Sequence, residues 1–555
     1  MSANITTPEI YGLLEDSTGV TVDMEYIPFF DVKHVMITQD KATNDWLIDT
    51  AISVVDSELS DVTLHPLASV LPAFIRKSES IRTELARNPR GLMTTEELKT
   101  ISRQVDAILY HFQQREHLLV PLGSCHGDLT FQNMLIDCTN RELCVFDFLD
   151  SFVESPLQDI AKLLQDCRHL WFLTQNDVHA EHCARIVTTL DLFYTRIRAA
   201  YCDYEMWELV PLFEFFCLAR VLPYITNQHE KDCVLAGLST VLKDLRCDSP
   251  QYQVCHTIAD ETEWIHGVDN KSVTMIIPAM GSQMAQRYGP RCIPKLLLPD
   301  QDGIPLIVRC FSRVGVANVK AIIIAVERAL ILETCGTESA FERLFDDHQT
   351  HRTKLLHFFY SDKPTRDVVE TVLCAQSAYQ VRGPIFIKDA DNDFAVDVEP
   401  GNYLTLVDLA SPRRSAEGTI SSKHETPEIS DATHKSYVAF NYDNIVSNLA
   451  YGSVFSSKFC CGGWGFLSAA DFTAAASKVR SAVCLAQQLL KCNEAEGVES
   501  RLQVVDVVWH IITHGALVFG IEVDDYVDWG VPMMDKSGRN SPKMEVLKPS
   551  PSYKE

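Results

Sequence analysis

Between two short apolar runs, Leu118–Val120 and Met134–Ile136, lies His126-Gly127-Asp128-Leu129-Thr130-Phe131-Gln132-Asn133, and this loop constrains the fold more than any other stretch. Short apolar runs bounded by turn-forming residues read as buried strands. A third such run, Leu143–Phe146, follows the turn Cys138-Thr139-Asn140-Arg141. The spacing therefore predicts a hairpin that starts beside Asn133 and ends beside Asp147, with Asp128 on the loop next to both. An amide and a carboxylate placed side by side can share one hard cation. Acid, amide and acid together are what phosphoryl transfer from a metal nucleotide requires: one carboxylate orients the incoming hydroxyl, while the amide oxygen and the other carboxylate hold the metal. Downstream, Leu157, Ile160, Ala161, Leu164, Cys167 and Trp171 recur at helical spacing. Asp159 is read as a cap near the start of that helix, and Asp150 as a loop or capping residue.

These residues, His126-Gly-Asp128 with Asn133, then Asp147-Phe148 and Asp159-Ile160-Ala161, resemble the aminoglycoside phosphotransferase and choline kinase family, whose fold is protein-kinase-like. The resemblance implies Asp128 as catalytic base, His126 as the brace of the catalytic loop, Asn133 and Asp147 as Mg²⁺ ligands, and ATP as phosphoryl donor. Upstream, Ile10–Glu15 and Val20–Glu25 read as two strands around Ser17-Thr18-Gly19. The following Met24-Glu25-Tyr26-Ile27-Pro28 resembles the hinge between kinase lobes, which implies nucleotide contact at Met24 and Tyr26. The residues before this hinge contain no lysine and no Gly-x-Gly. A kinase covers the nucleotide phosphates with a glycine-rich loop and a strand lysine, so residues 1–30 are expected to be the remnant of a truncated lobe. Helical periodicity over Trp46–Val55, Glu96–Phe112, Ala184–Tyr201 and Trp207–Arg220 suits the larger lobe, assigned to 31–246. Trp171, Trp207 and Phe213-Glu214-Phe215-Phe216 read as helix packing.

With 555 residues, 46% hydrophobic and 22% charged, the chain is globular and long enough for two to four domains. Its formal charge of −26 argues against a nucleic-acid surface, which would be basic. No run approaches the length of a membrane span, and Met1-Ser-Ala-Asn-Ile lacks the basic and apolar regions of a secretion signal. The expectation is a cytoplasmic protein acting on small molecules and nucleotides, with oligomerisation left open. The 18 cysteines include one adjacent pair, Cys460-Cys461, and show no metal-ligand spacing.

Polar residues dominate 247–271, which reads as a linker. From Ser272 strands and helices alternate: strands at Val273–Ile277, Val319–Val326, Leu355–Tyr360 and Pro384–Lys388, helices at Leu306–Val314, Ser339–His348 and Arg366–Tyr379. This pattern predicts an open parallel sheet with ligands beyond the carboxyl ends of its strands. The chemistry-bearing residues follow those ends: Ile277-Pro278-Ala279-Met280-Gly281, then Arg287 and Pro294-Lys295, and later Asp389-Ala390-Asp391-Asn392. Together with Asp525-Tyr-Val-Asp528-Trp-Gly530 they resemble the sugar-1-phosphate and choline-phosphate nucleotidyltransferases, with a Rossmann-like α/β fold of glycosyltransferase-A type over 272–532. The resemblance implies Gly281 and Arg287 in a loop that grips nucleotide phosphates, Lys295 neutralising a substrate phosphate, Asp391 and Asp528 as Mg²⁺ ligands, and a second NTP as substrate. The reaction would be attack of a substrate phosphate on the α-phosphate with loss of pyrophosphate.

This half departs from the family at two places. The loop from Gly281 to Arg287 lacks a second glycine, and Tyr451-Gly452 stands where an acidic-basic pair is usual ahead of Gly462-Gly463-Trp464. Two other readings stay open: a glycosyltransferase using Asp389-Ala-Asp391 on a nucleotide-sugar metal, or a binding or regulatory protein whose halves have lost their chemistry. Ser411–Lys435 reads as an exposed excursion and 533–555 as a flexible tail. The integrated expectation is an ATP-dependent kinase of a hydroxylated compound such as choline or a sugar, joined to an enzyme that makes a nucleotide-activated sugar or headgroup.

Overall fold

The computed structural model describes residues 4–16, 19–87, 90–176, 178–247, 271–280, 282–285, 287–288, 293–300, 302–348, 355–408, 435–441, 443–451, 454–490 and 501–528. Gly281, Gly452, nearly all of the expected linker and excursion, and the tail lie outside them. The chain forms two compact units, Met1–Thr262 with Ser481–Ser500, and Glu263–Arg480 with Arg501–Glu555.

The first unit begins with strands β1 (Asn4–Thr6), β2 (Ile10–Asp16), β3 (Gly19–Met24) and β4 (Phe30–Asp31). Helices α1 (Val32–Thr38) and α2 (Lys41–Leu59), strand β5 (Thr63–Pro66), helices α3 (Leu67–Arg87) and α4 (Thr95–Gln113), and strand β6 (Leu119–Leu122) follow. Strands β7 (Met134–Asp137) and β8 (Glu142–Val145) form the predicted hairpin, with Met134 opposite Val145. Helices α5 (Pro156–Cys167), α6 (Trp171–Thr174), α7 (Ala180–Tyr201), α8 (Val210–Ala219) and α9 (Gln228–Cys247) complete it.

The hairpin is the centre of a sheet ordered β1-β8-β7-β4. Because β1 and β4 are its two edges, the β2–β3 hairpin between them is tied at both ends to the ladder that carries Asn133 and Asp147. Local chemistry sets the helix starts. Thr94 and Glu97 close a reciprocal capping box on α4, and the Asp40 side chain accepts from Thr43 N–H at the head of α2. Phe74 meets Phe213 and Phe216 edge to face at 5.1 and 5.2 Å, so the aromatic cluster is packing, as expected. Ala486, from Ser481–Ser500, is fully buried in the same core.

The second unit starts with β9 (Val273–Ala279), α10 (Ser282–Ala285), β10 (Arg287–Tyr288), β11 (Ile293–Pro294), α11 (Leu306–Arg309), β12 (Val314–Gly315), β13 (Val319–Glu327), α12 (Arg328–Cys335) and α13 (Glu338–His348). It continues through β14 (Leu356–Ser361), α14 (Val368–Ala378), β15 (Ile385–Lys388), β16 (Asn392–Asp397), β17 (Tyr403–Asp408), β18 (Ser436–Phe440), β19 (Val446–Tyr451) and β20 (Lys458–Phe466). Helices α15 (Ala469–Leu490) and α16 (Val504–Thr513) and strands β21 (Phe519–Glu522) and β22 (Asp524–Asp528) follow, the end of α15 counting with the first unit.

Two expectations are corrected here. The sheet is mixed: β14, β13, β9 and β15 are parallel, but β20 runs antiparallel to both β15 and β17. Helical crossovers enforce parallel pairing only as far as β15, whereas β16 to β20 succeed one another with no intervening helix among the described residues and are free to pair antiparallel. The helix expected over Leu306–Val314 stops at Arg309, and Val314 pairs with Val396 in a separate strand. A short apolar run does not by itself distinguish the two states. Among the described residues no helix is long and apolar enough to cross a membrane.

Candidate functional site

All twelve residues of α5 are buried. Its start is fixed by Ser155, whose hydroxyl accepts from Leu157 N–H, with Pro156 at the first helical position. Asp159 is therefore not the cap. Its Oδ2 accepts from His126 N–H at 2.6 Å and Gly127 N–H at 3.2 Å, and its Oδ1 from Leu129 N–H at 3.2 Å. One turn on, Lys162 Nζ reaches Asp128 Oδ1 at 2.7 Å. A further turn on, Asp166 Oδ2 accepts from Phe131 N–H at 2.7 Å. Residues 159, 162 and 166 share one helix face by their spacing. An acid-base-acid stripe thus underlies the loop from His126 to Phe131.

Burial dominates the electrostatics of this layer. It pushes the Asp159 carboxyl up, against the N–H groups that hold it, and brings Asp166 up to about 7. Glu58 of α2 also accepts from His126 N–H, at 3.1 Å. Burial and then the neighbouring Asp159 push Glu58 up to about 9. Asp128 goes the other way. Burial raises it, but Lys162 and then Arg220, whose guanidinium lies 2.8 Å from Oδ1, more than offset this and hold it below the usual carboxylate range.

His126 Nε2 lies 3.0 Å from Phe146 O, while Nδ1 accepts from Asp128 N–H at 3.3 Å; this pairing puts the ring proton on Nε2. The ring stacks on Phe148 at 4.2 Å. Phe146 N–H donates to Asn133 O and Leu149 N–H to His126 O, so Asp147 is held from both sides. Its φ of 63° is left-handed, and its side chain is exposed, as is that of Asp150. Asn133 is buried and donates from Nδ2 to Asp128 O at 2.8 Å and to Asp128 Oδ2 at 3.3 Å, which leaves an oxygen as the donor its amide can offer a cation. An amide oxygen and a carboxylate are hard donors that fit Mg²⁺, which fills its remaining positions with phosphates and water. Met24 ends β3 and Tyr26 lies on the β3–β4 connection, 50% and 85% exposed, close in sequence to the strand paired with β7.

In the second unit β15 ends at Lys388, which is completely buried. Its ammonium donates to Asp389 O at 2.8 Å, Asn392 O at 2.9 Å and Asn392 Oδ1, and lies 4.3 Å from the Phe394 ring centroid. Burial lowers its pKa. This lysine was missed by sequence reasoning, although a lysine ending an apolar strand beside Asp-x-Asp was a visible signal. The turn it stitches presents Asp391, whose Oδ2 lies 3.3 Å from Lys295 Nζ. Asn392 is in register with Asp528, so the backbones at 391 and 528 are neighbours. Arg287 stands opposite Pro294 in the β10–β11 hairpin, and its side chain pairs with Glu333. Asp389 packs beneath Gly462, and burial followed by the charge of Asp391 brings it up to about 7.

The loop and hairpin of the first unit define a kinase-type phosphotransferase domain. Residues 60–208 match the model of APH, the phosphotransferase enzyme family. A comparison with curated proteins finds no match. Three solved structures are similar in part. The nucleoside-diphosphate-sugar pyrophosphorylase from Vibrio cholerae RC9 is 15% identical over 46% of this chain and 96% of its own, with a TM-score of 0.31. The inositol-1-phosphate CTP transferase from T. maritima is 13% identical over 49% of this chain and 92% of its own, with a TM-score of 0.30. A UDP-glucose pyrophosphorylase complexed with UDP-glucose is 13% identical over 47% of this chain and 94% of its own, with a TM-score of 0.32.

Proposed function

We propose that the chain is a bifunctional cytoplasmic transferase: its first unit phosphorylates a hydroxylated small molecule from ATP, and its second couples a phosphorylated compound to a nucleotide. The observation that carries the first activity is the fixed carboxylate of Asp128 beside Asn133 and Asp147. Asp128 orients the substrate hydroxyl and receives its proton late, as a loose transition state allows for a carboxylate of low pKa. His126 and Asp159 hold the loop that presents it. Asn133 and Asp147 would hold Mg²⁺, which when bound neutralises the nucleotide phosphates. Met24 and Tyr26 offer exposed apolar surface to the base.

The second activity is supported by the meeting of Lys295 with Asp391 and the register that brings Asp528 alongside. Lys295 would neutralise the attacking phosphate, and Asp391 and Asp528 would hold the second Mg²⁺. Gly281 and Arg287 belong to the loop proposed to meet the nucleotide phosphates. Pro294-Lys295, with Lys295 meeting Asp391, favours nucleotidyl transfer over a glycosyltransferase Asp-x-Asp site.

Phosphorus NMR tests both activities: ATP, Mg²⁺ and a panel of hydroxylated compounds for the first, each NTP with phosphorylated compounds for the second. Asp128→Ala is expected to lower phosphorylation by about 10²-fold or more while sparing pyrophosphate release. Asp391→Ala is expected to do the reverse. Loss of both activities from either substitution in a folded protein would refute the two-site reading.

A further inference from the structure

Strand β15 belongs to the nine-stranded sheet and β16 to a separate three-stranded sheet ordered β12-β16-β22, and only Asp389, Ala390 and Asp391 join the two. On the β20 side, Asp389 N–H donates to Gly462 O at 2.7 Å. Gly462 has φ 91°, and a Cβ built on it would lie 2.5 Å from both Asn392 Nδ2 and Asp389 Oδ2, so the turn is pressed against β20. Across the turn the bridge is Lys388. Its ammonium donates to Asp389 O at 2.8 Å, to Asn392 O at 2.9 Å and to Asn392 Oδ1, which gives three acceptors for the three protons an ammonium carries. The Phe394 ring lies 4.3 Å away. A fully buried ammonium is costly unless its hydrogen bonds are complete, and all three are spent inside this turn. Lys388 therefore does not meet a substrate.

Asn392 is the residue through which both expected carboxylates are placed. Asp391 precedes it in the chain, and Asp528 is its register partner on β22. Asp391 keeps 27% of its side chain exposed and, with one oxygen 3.3 Å from Lys295, offers the other to a hard cation. We propose that Lys388 is a positioning residue for the metal of the second unit: a built-in cation that holds Asp389 to Asn392 in the shape that brings Asp391 and the 528 position to one Mg²⁺. This rests on the nucleotidyl-transfer reading above. Without the ammonium the divalent ion must order the turn itself, and that ordering is subtracted from its affinity.

The test uses Mn²⁺ alone, followed by electron paramagnetic resonance of the free ion, on the full chain carrying Asp147→Ala to remove the ion expected in the first unit. Binding that disappears on further substitution of Asp391→Ala belongs to the second unit. Lys388→Met should weaken that binding by about tenfold or more, as loss of a group that orients a metal ligand does. Should Lys388→Met not fold, Asn392→Ala removes one of the three acceptors and should weaken Mn²⁺ in the same direction. Unchanged Mn²⁺ affinity in folded Lys388→Met, even with a lower melting temperature, makes the lysine structural only and overturns the inference while the nucleotidyl-transfer reading stands; in the fallback, unchanged affinity in Asn392→Ala does the same. Absence of any Asp391-dependent Mn²⁺ binding overturns the inference together with the metal assignment of that reading. In turnover, Lys388→Met should raise the Mg²⁺ concentration needed for pyrophosphate release, with kcat recovered at saturating Mg²⁺, a split that a loss of folded protein cannot produce.

Discussion

Gly127 sits at φ 80°, and a Cβ built on it would lie 2.1 Å from Leu149 O. Both the backbone conformation and the contact exclude a larger residue. Gly127→Ala must therefore displace the loop or Leu149, and we expect kcat to fall by about 10²-fold, since a shift of about 1 Å at a reacting group has that effect; circular dichroism should show the fold retained. Glu58 gives a pH prediction. Its folded-state pKa of about 9 lies above its ordinary 4.5, because it is buried beside Asp159. The folded protein consequently binds a proton that the unfolded chain releases. The associated stability is full below pH 4.5 and is lost as pH rises toward 9. Glu58→Gln keeps an acceptor for His126 N–H without that proton, so its melting temperature should decline less between pH 5 and 9, by about 2 °C or more. A parallel decline for both proteins would refute the raised pKa of Glu58.

At the scale of elements, α5 does more than pack. Removing Asp159 would leave the N–H groups of Gly127 and Leu129 without the acceptor they use, and His126 N–H with Glu58 alone. Asp159→Ala should therefore destabilise the protein by about 3 kcal/mol, read from denaturant midpoints. The same helix shows where sequence reasoning succeeded and where it stopped. Leu157, Ile160, Ala161 and Leu164 announced a helix correctly, but an amphipathic reading assigns charges to solvent, and α5 has no solvent face. Asp159 was accordingly taken for a cap and Lys162 and Asp166 were passed over, although their three- and four-residue spacing was in plain view. The hairpin at 134–145 was legible because turn residues and apolar runs agree there. The antiparallel end of the second sheet was not, because strand periodicity carries no direction.

For the whole molecule, the family match at 60–208 covers the His126–Asn133 loop and α5. The first unit also extends past its own contiguous sequence by recruiting Ser481–Ser500. A fragment ending at Thr262 loses Ala486 from its core and is expected to melt several degrees below the first transition of the full chain, as a loss of about 2 kcal/mol would produce; equal melting temperatures would show the recruited segment to be dispensable. The same connectivity sets an order of events during synthesis. Contiguous domains close as they leave the ribosome, but this unit's core waits for residue 486, after β9 to β20 have already emerged. The kinase-type unit, although first in the sequence, is the one completed late, and its core lacks Ala486 while its neighbour is translated.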